Sequence, residues 1–539
     1  TCALPILIGA NQSGNYKLAV NLDASATKGL NASDIWSTAG WVGLANFAGT
    51  LDGNGHTISG LTSTTGGLFA STTSAATIHD LSVTSASISG TGAYTGILVN
   101  DNAGRITNVS TSGTVSGSQS AGGLAGRSSG AISGSSSSAS VTANAGSGGT
   151  DYNAGGLVAV LTASGTISQS YATGAVISDL GGPGGLVGAN YGAITLSYAT
   201  GATSGIDGYN GGLVSYNQGT ISNSYATGAV GDTYLTSGGL VALNRGTIST
   251  SYATGAVDAS SGGSNGGFVG SNNGTISASF WDTQASGQST GAAFGTGTGL
   301  TGLTTAQMQN PTNFINAGWD YGTAWGTLKT GGTPVLRALN TAPLISYYVV
   351  LSGNTSTTYG NTIGGTSGIT VGGDGASLVT VGWGSAINSS TNAGTYAYGD
   401  PNVLSLTYRG GAADDFFIDY GSGALTINQR IVNLSGNQTY NGTTNIASGN
   451  LTLSNLANGE TLTLSGLGQL ASKNVGSNLT FSLNTLALGN GSGLASNYTL
   501  AGGTDTITIS KALISSIGGI VAGNKTYDGS TAVTLDASG

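Results

Sequence analysis

The sequence predicts an all-β chain: a right-handed parallel β-helix with about 27 residues per coil, followed by small β-rich modules. Three observations lead there. Tyr171, Tyr198, Tyr225 and Tyr252 recur at one constant spacing, and SYATGAV occupies 170–176, 224–230 and 251–257. A fixed period of this length marks stacked supersecondary units. Gly accounts for 97 of 539 residues, charged residues for 6% and hydrophobic residues for 38%, the last in short β-branched runs. That composition suits tight turns between short strands. Glu460 is the sole glutamate, so the Glu-, Lys- and Ala-rich make-up of long helices is missing.

The repeat aligns on a glycine pair at GGLFA (66–70), GGLAG (122–126), GGLVA (155–159), GGLVG (184–188), GGLVS (211–215), GGLVA (238–242) and GGFVG (266–270), with TGILV (95–99) between the first two. Each copy has the same order: a short apolar strand, a turn with Asn, a strand such as GTISNS, and a third as YATGAV. A unit this short cannot hold a strand–helix–strand crossover. It suffices for one triangular coil, stacked on the next at about 4.8 Å. Stacking turns sequence columns into physical ones. Ile194, Ile221, Ile248 and Ile276 are expected to point inward. Tyr171, Tyr198, Tyr225, Tyr252 and then Phe280 form an aromatic column, and Asn190, Asn217, Asn244 and Asn272 an amide ladder along one turn. The glycines are expected where the backbone passes through positive φ.

Residues 1–65 read as the lead-in and first coils, 66–290 as the repeat solenoid, and 291–340 as its C-terminal cap. A cap is needed because the last coil exposes a core edge. In this exit segment TTAQMQNP reads as one short helix, with Thr304 or Thr305 as N-cap and a stop ahead of Pro311. Trp281, just ahead of this segment, clusters in sequence with Trp319 and Trp325 within it, as cap residues or, in a sharper reading, as a sugar platform.

The pattern GGLVGxNxGxIxxSYATG resembles the GLUG repeat of large bacterial surface proteins, including filamentous-haemagglutinin-like adhesins exported by two-partner secretion. The flanking stretches FAGTLDGNGHTISGL (47–61) and SFWDTQASGQS (279–289) resemble the surroundings of such repeats. From Ser346 the copies vanish and strands lengthen. Residues 341–430 resemble the grasp-like module called MBG, and 431–513 resemble the YDG module, with Tyr440-Asn441-Gly442 in place of its motif. Residues 514–539 begin a further, truncated YDG-like copy with Tyr527-Asp528-Gly529 intact, so the chain is expected to belong to a longer array. The Tyr-Asp/Asn-Gly step reads as a turn whose Asx side chain bonds its own backbone. The resemblance implies an extracellular or cell-surface location, associated with a Gram-negative outer membrane, and an outer-membrane secretion partner.

Formal net charge is −9 and the 12 basic residues form no stripe, so nucleic acid is not an expected partner. No run of 18 apolar residues exists, so no membrane insertion by a helix is expected. Cys2 stands alone, which excludes an intramolecular disulfide, and the start TCALPILIG lacks the basic region of a signal peptide. No acid pair recurs at coil spacing, so no catalytic residue, metal or cofactor is assigned. His56 and His79, nearly one coil apart, are read as structural, since a metal site needs more ligands. Asp414, Asp415 and Asp419 are read as solvated rather than calcium-binding. Asp179, Asp207, Asp232 and Asp258 lie in the variable turns after GAV, where a ligand of the solenoid is expected. The function expected is a non-catalytic segment of a surface adhesin, a rigid stalk and polyvalent surface for host-cell, glycan or matrix targets. A self-assembling matrix filament and a β-helical carbohydrate-active enzyme or glycan-binding protein are the alternatives.

Overall fold

Each copy of the repeat closes one coil, and successive coils pair strand to strand in parallel. In one coil Val187–Asn190, Ala193–Thr195, Tyr198–Ala199 and Thr203–Gly205 follow one another, and Tyr209–Gly211 leads into the next. Val187 pairs with Val214, Ile194 with Ile221, and Tyr198 with Tyr225, one period apart. A nine-stranded parallel sheet runs in chain order from Phe69–Ser71 to Ala292–Gly295. The chain is therefore a parallel β-helix over this region. The computed structural model describes residues 8–29, 40–144, 153–205, 207–231, 236–260, 262–518 and 520–536. Cys2 and the TCALPIL start lie outside the described residues. The chain divides into two units, Thr1–Ile345 and Ser346–Gly539.

The isoleucine column is the interior wall of the first unit. Ile167, Ile194, Ile221 and Ile248 are all at most 1% exposed. The column continues upstream through Ile132, Ile106 and Ile78 to Leu51, in coils whose sequence has drifted. Covering each such side chain contributes about 1.5–3 kcal/mol. No coil supplies that cover itself, which is why the copies must stack.

The glycines work differently from the sequence expectation. In the repeats after residue 150 the left-handed position that recurs in every coil is Gln169 (φ 48°), Leu196 (49°), Asn223 (46°), Thr250 (45°) and Ala278 (44°), none of them glycine; Gly262 (79°) and Gly287 (69°) are left-handed outside the repeated pair. The glycine pair is required by close approach instead. A Cβ on Gly211 would lie 1.9 Å from the Val214 carbonyl oxygen, and one on Gly212 would lie 2.0 Å from that of Gly239 in the next coil. The pair also splits what the sequence reads as one strand: Tyr209–Gly211 and Val214–Asn217 belong to different sheets, with Leu213 buried at the corner.

A serine follows each left-handed residue. The Ser197 amide donates to Ser224 Oγ at 3.3 Å, and the Ser224 amide donates to Ser251 Oγ at 3.2 Å. Each hydroxyl in turn donates to the carbonyl two residues back, Ser224 Oγ to Ser222 at 2.8 Å. The corner carries the Ser amide away from the main-chain ladder, and a buried orphan donor is costly. Serine supplies the missing acceptor, which explains the first letter of SYATG.

Stacking runs past residue 290. Ser279–Asp282 pairs with Tyr252–Ala253 on one side and with Leu300–Leu303 on the other. The exit segment then holds two short helices rather than one. Thr305–Met308 is capped by Thr304, with Gln307 completing a capping box. Pro311–Asn316 starts at the proline, because Pro at the first helical turn leaves no amide unsatisfied and Asn310 caps the Thr312 amide.

In the second unit the strand order is mixed. Tyr347–Ser352 runs parallel to Phe416–Asp419, and Asn354–Thr358 parallel to Ala424–Asn428. Asn433–Thr439 runs parallel to Asp505–Ser510 and antiparallel to Leu451–Ser454. One hydrophobic cluster includes Val349, Leu425, Ile427, Val432, Leu434 and Ile507, so the two modules share a core. Beyond it, Val521–Ala522 pairs with Leu535–Asp536 as an exposed hairpin.

Candidate functional site

The solenoid presents ladders first. Asn190 Nδ2 donates to Asn217 Oδ1 at 2.7 Å, Asn217 to Asn244 at 2.7 Å, and Asn244 to Asn272 at 2.8 Å. These amides are at most 3% exposed, and each Oδ1 also accepts the amide two residues on where Gly192, Gly246 and Gly274 follow. They hold the turn and are not free to bind. Leu161 interrupts the column upstream, and Asn102 with Ser128 forms a separate short ladder.

The tyrosines stack nearly flat: Tyr171 on Tyr198, Tyr198 on Tyr225 and Tyr225 on Tyr252, with centroids 4.8–4.9 Å apart and planes within 6°. Their edges meet the exit segment. Trp325 lies tilted against Tyr225 and Tyr252 at 6.2 and 5.9 Å, and its indole N–H donates to Asn223 Oδ1 at 3.1 Å. Trp319 packs on Trp325 at 4.4 Å, and Phe314 on Phe280 at 4.9 Å. Tyr252 donates its hydroxyl to the Pro334 carbonyl at 2.8 Å. The segment thus folds back along the ladder as well as closing its end, and Trp319 and Trp325 are buried within that packing. Burial raises the pKa values of three tyrosines in the column, with Tyr198 pushed up to about 12 and Tyr225 and Tyr252 further.

Among the described residues, the variable-turn aspartates Asp179, Asp207 and Asp258 form no cluster. Asp179 is half-buried, Asp207 is exposed, and Asp258 is exposed with Oδ1 accepting the Ser260 amide at 3.0 Å. Asp232 lies outside the described residues. A groove of about 500 Å³ runs past Ala202, Ala229 and Ala256 to Asp258 and Gln284.

The one grouping of three metal-ligand side chains among the described residues is Asp52, His79 and Asp80. His79 Nδ1 stands 2.8 Å from Asp80 Oδ2 and 3.7 Å from Asp52 Oδ1. Spacing alone points to His56 as the neighbour of His79, but His56 Nδ1 instead lies 3.2 Å from Asn21 Oδ1. Lys17 Nζ pairs with Asp52 at 3.2 Å. Asn108 donates to Asp80 at 2.6 Å, and this bond, with the contact to His79, lowers the Asp80 pKa. An ammonium already neutralises part of the cluster, so it is a self-contained polar network on the first coils.

In the second unit two acids of DDFFID serve their own turns: Asp415 Oδ2 accepts the Ala412 amide and Asp419 Oδ1 the Gly421 amide, both at 2.9 Å. Asn441 Oδ1 accepts the Thr443 amide and Asp528 Oδ1 the Ser530 amide, both at 3.0 Å, with Gly442 and Gly529 at φ 76° and 79°. The Y-N-G and Y-D-G steps are turns of one kind. The feature that sequence reasoning missed is Glu460. It accepts the hydroxyls of Tyr359 and Tyr498, each at 2.6 Å, from two modules. Arg430 adds bonds to the Tyr359 and Asn455 carbonyls. A lone glutamate in 539 residues is the signal that points to it.

Comparison with known proteins places a YDG domain at residues 424–507. Its frame opens on the last strand of the preceding module, ahead of the boundary at 430/431 that the sequence suggests. Halomucin of Haloquadratum walsbyi is 35% identical over 121 residues, which is 20% of this chain and 1% of that protein. Two solved structures are similar. An IgA1 protease has a TM-score of 0.38 and 24% identity, over 46% of this chain and 21% of the other. A Bacteroides ovatus protein provisionally named an immunoglobulin A1 protease has 0.35 and 20%, over 61% and 87%.

Proposed function

We propose that the chain is a non-catalytic segment of a large secreted or cell-surface bacterial adhesin. The β-helix acts as a stiff scaffold whose exposed columns make many weak contacts, raised by avidity. The observation that carries this reading is the division of the coil. The repeated asparagine, tyrosine, isoleucine and serine side chains are spent on stacking. The residue after the asparagine, which changes from Tyr191 to Gln218 to Arg245, is exposed. The YDG domain and the likeness to Halomucin support a surface-associated protein. Host-cell, glycan or matrix surfaces are the proposed targets, and an outer-membrane secretion partner is proposed for export. Beads coated with the full chain are expected to adhere to such surfaces, and soluble chain to adhere far less. Equal retention of uncoated and coated beads on every surface tried would sink the proposal.

A second reading, a carbohydrate-active enzyme, is favoured by one observation: Asp52 and Asp80 come within reach of one another on adjacent coils. It predicts release of reducing or unsaturated ends from acidic polysaccharides, abolished by Asp52→Asn. Adhesion that survives Asp52→Asn, with no product released by the unaltered chain, favours the first reading.

A further inference from the structure

The asparagine ladder is constant, but the columns on either side of it are not. Before the asparagine, successive coils carry Ala189, Tyr216 and Leu243; after it they carry Tyr191, Gln218 and Arg245. The backbone at these positions repeats, as Ala189 pairs with Tyr216 and Tyr216 with Leu243. Ala189 is buried and Tyr216 and Leu243 are half-buried, while Tyr191, Gln218 and Arg245 are exposed. A fixed backbone with unrepeated side chains that reach solvent is how repeat proteins build a recognition surface. The sequence suggests such a surface in the turns after GAV, where residues also vary.

Three coils combine here. The rings of Tyr191 and Tyr216 stand 5.8 Å apart at 56°, which makes an open aromatic wedge, and Tyr191 is 42% exposed. The Arg245 guanidinium lies 5.7 Å from the centre of the Tyr216 ring. Tyr216 donates its hydroxyl to Gln218 Oε1 at 3.2 Å, which fixes the ring. Residues 66–290 hold three cationic side chains, Arg105, Arg127 and Arg245. Arg127 sits over Tyr94 in the same manner but is neutralised by Asp101 at 3.1 Å. Arg245 is paired with no carboxylate among the described residues. In a chain of net charge −9 this is a cation with no carboxylate beside it among the described residues, set on an aromatic platform.

We propose that Tyr191, Tyr216, Gln218 and Arg245 form a binding site for carboxylate-bearing saccharides. The apolar face of a sugar ring stacks on the tyrosines, and the guanidinium takes the carboxylate in its two-pronged geometry. An acidic peptide fits less well. The strands here are paired on both sides, so no sheet edge is free to bond a peptide backbone. A pyranose needs only the flat rings and the charge. This rests on the reading of the chain as a contact surface and names the chemistry of one contact.

The test is titration of the full chain with oligogalacturonate, followed by NMR or calorimetry, with neutral maltooligosaccharide and oligoglutamate alongside. Oligogalacturonate is expected to bind, weakened about tenfold or more by Arg245→Gln and by Tyr216→Ala, and unchanged by Arg409→Gln in the second unit. Retained thermal melting in the variants separates loss of the site from loss of the fold; Arg245→Lys, which keeps charge without the fork, should recover only part of the affinity. Equal binding of the neutral sugar, equal binding of oligoglutamate with the same sensitivity to Arg245→Gln, or no binding overturns the proposal. Binding followed by cleavage of the oligosaccharide would leave the site standing and overturn the non-catalytic reading instead. Adhesion of coated beads that is untouched by Arg245→Gln, with no oligogalacturonate bound, would overturn the site and leave the surface role intact.

Discussion

In the first unit Ile221 is covered by Ile194 on one side and Ile248 on the other, each one period away and of its own kind. In the second unit Leu434 lies beside Asp505, which is distant in sequence, and beside Leu453 across an antiparallel pair. The solenoid buries its strands by repetition, and the modules bury theirs by closure. Repetition leaves each coil dependent on neighbours of identical shape, with backbones close enough to forbid a methyl group. Closure tolerates irregular spacing but needs particular long-range partners such as Tyr359, Glu460 and Tyr498.

The largest expected difference is at glycine. Gly212→Ala places a Cβ 2.0 Å from the Gly239 carbonyl oxygen, a backbone atom that cannot turn aside. Gly442→Ala meets no atom within 4 Å, and its strain comes only from φ 76°. The first is expected to destabilise its unit by about 3 kcal/mol or more, the second by about 1 kcal/mol. Denaturant unfolding followed by hydrogen exchange in each unit measures both. Equal effects would remove the distinction between close approach and conformational freedom.

The serine column comes next. Ser224→Ala leaves the buried Ser197 amide without its acceptor, at a cost of about 1–3 kcal/mol. Ser454→Ala in the second unit removes a bond of 3.3 Å from an exposed hydroxyl to the Asn433 carbonyl. It is expected to cost under about 0.5 kcal/mol. Faster exchange at the Ser197 amide in the first variant is the local readout. An unchanged amide there would mean that water or a shifted turn replaces the hydroxyl.

These contrasts also explain what the sequence disclosed. The tyrosine, asparagine and isoleucine columns are visible because a contact between coils is a fixed step along the chain. The serine column has the same step, yet its role depends on the left-handed residue before it, and Gln169, Leu196 and Asn223 share no chemistry that would announce a corner. Arg245 over Tyr216 falls off the common period, because the side chains reach diagonally between columns. Trp325 against Asn223 and Tyr359 against Glu460 span 102 and 101 residues, with no period to reveal them.

Glu460→Gln probes closure directly. The amide keeps one acceptor oxygen but loses the charge that strengthens two short bonds, so the second unit is expected to lose about 1–2 kcal/mol while the solenoid melts unchanged. Differential scanning calorimetry resolves the two if they unfold separately. A variant in which Tyr359→Phe and Glu460→Gln together cost the plain sum of their separate effects would show that the hydroxyl and the carboxylate act independently.

The smallest effect is one of pH, and it separates the two kinds of tyrosine. Tyr198 and Tyr498 are both pushed up to about 12, in each case chiefly by burial, but Tyr498 also donates to Glu460. A folded value above the ordinary value near 10 means that the fold favours the neutral phenol. The stability it contributes is complete below about pH 10 and is lost as pH rises through the folded value. Phenolate difference absorbance is therefore expected to show a late-titrating class that disappears on unfolding. Removing the carboxylate removes one cause at Tyr498 and none at Tyr198. In Glu460→Gln, Tyr498 is expected to ionise earlier while Tyr198 keeps its place, with Tyr198→Phe and Tyr498→Phe assigning the signals. An unshifted Tyr498 would mean that the charge of Glu460 has no part in holding its proton and that burial alone sets it, whereas a shift of Tyr198 as well would mean that the substitution acts beyond the second unit.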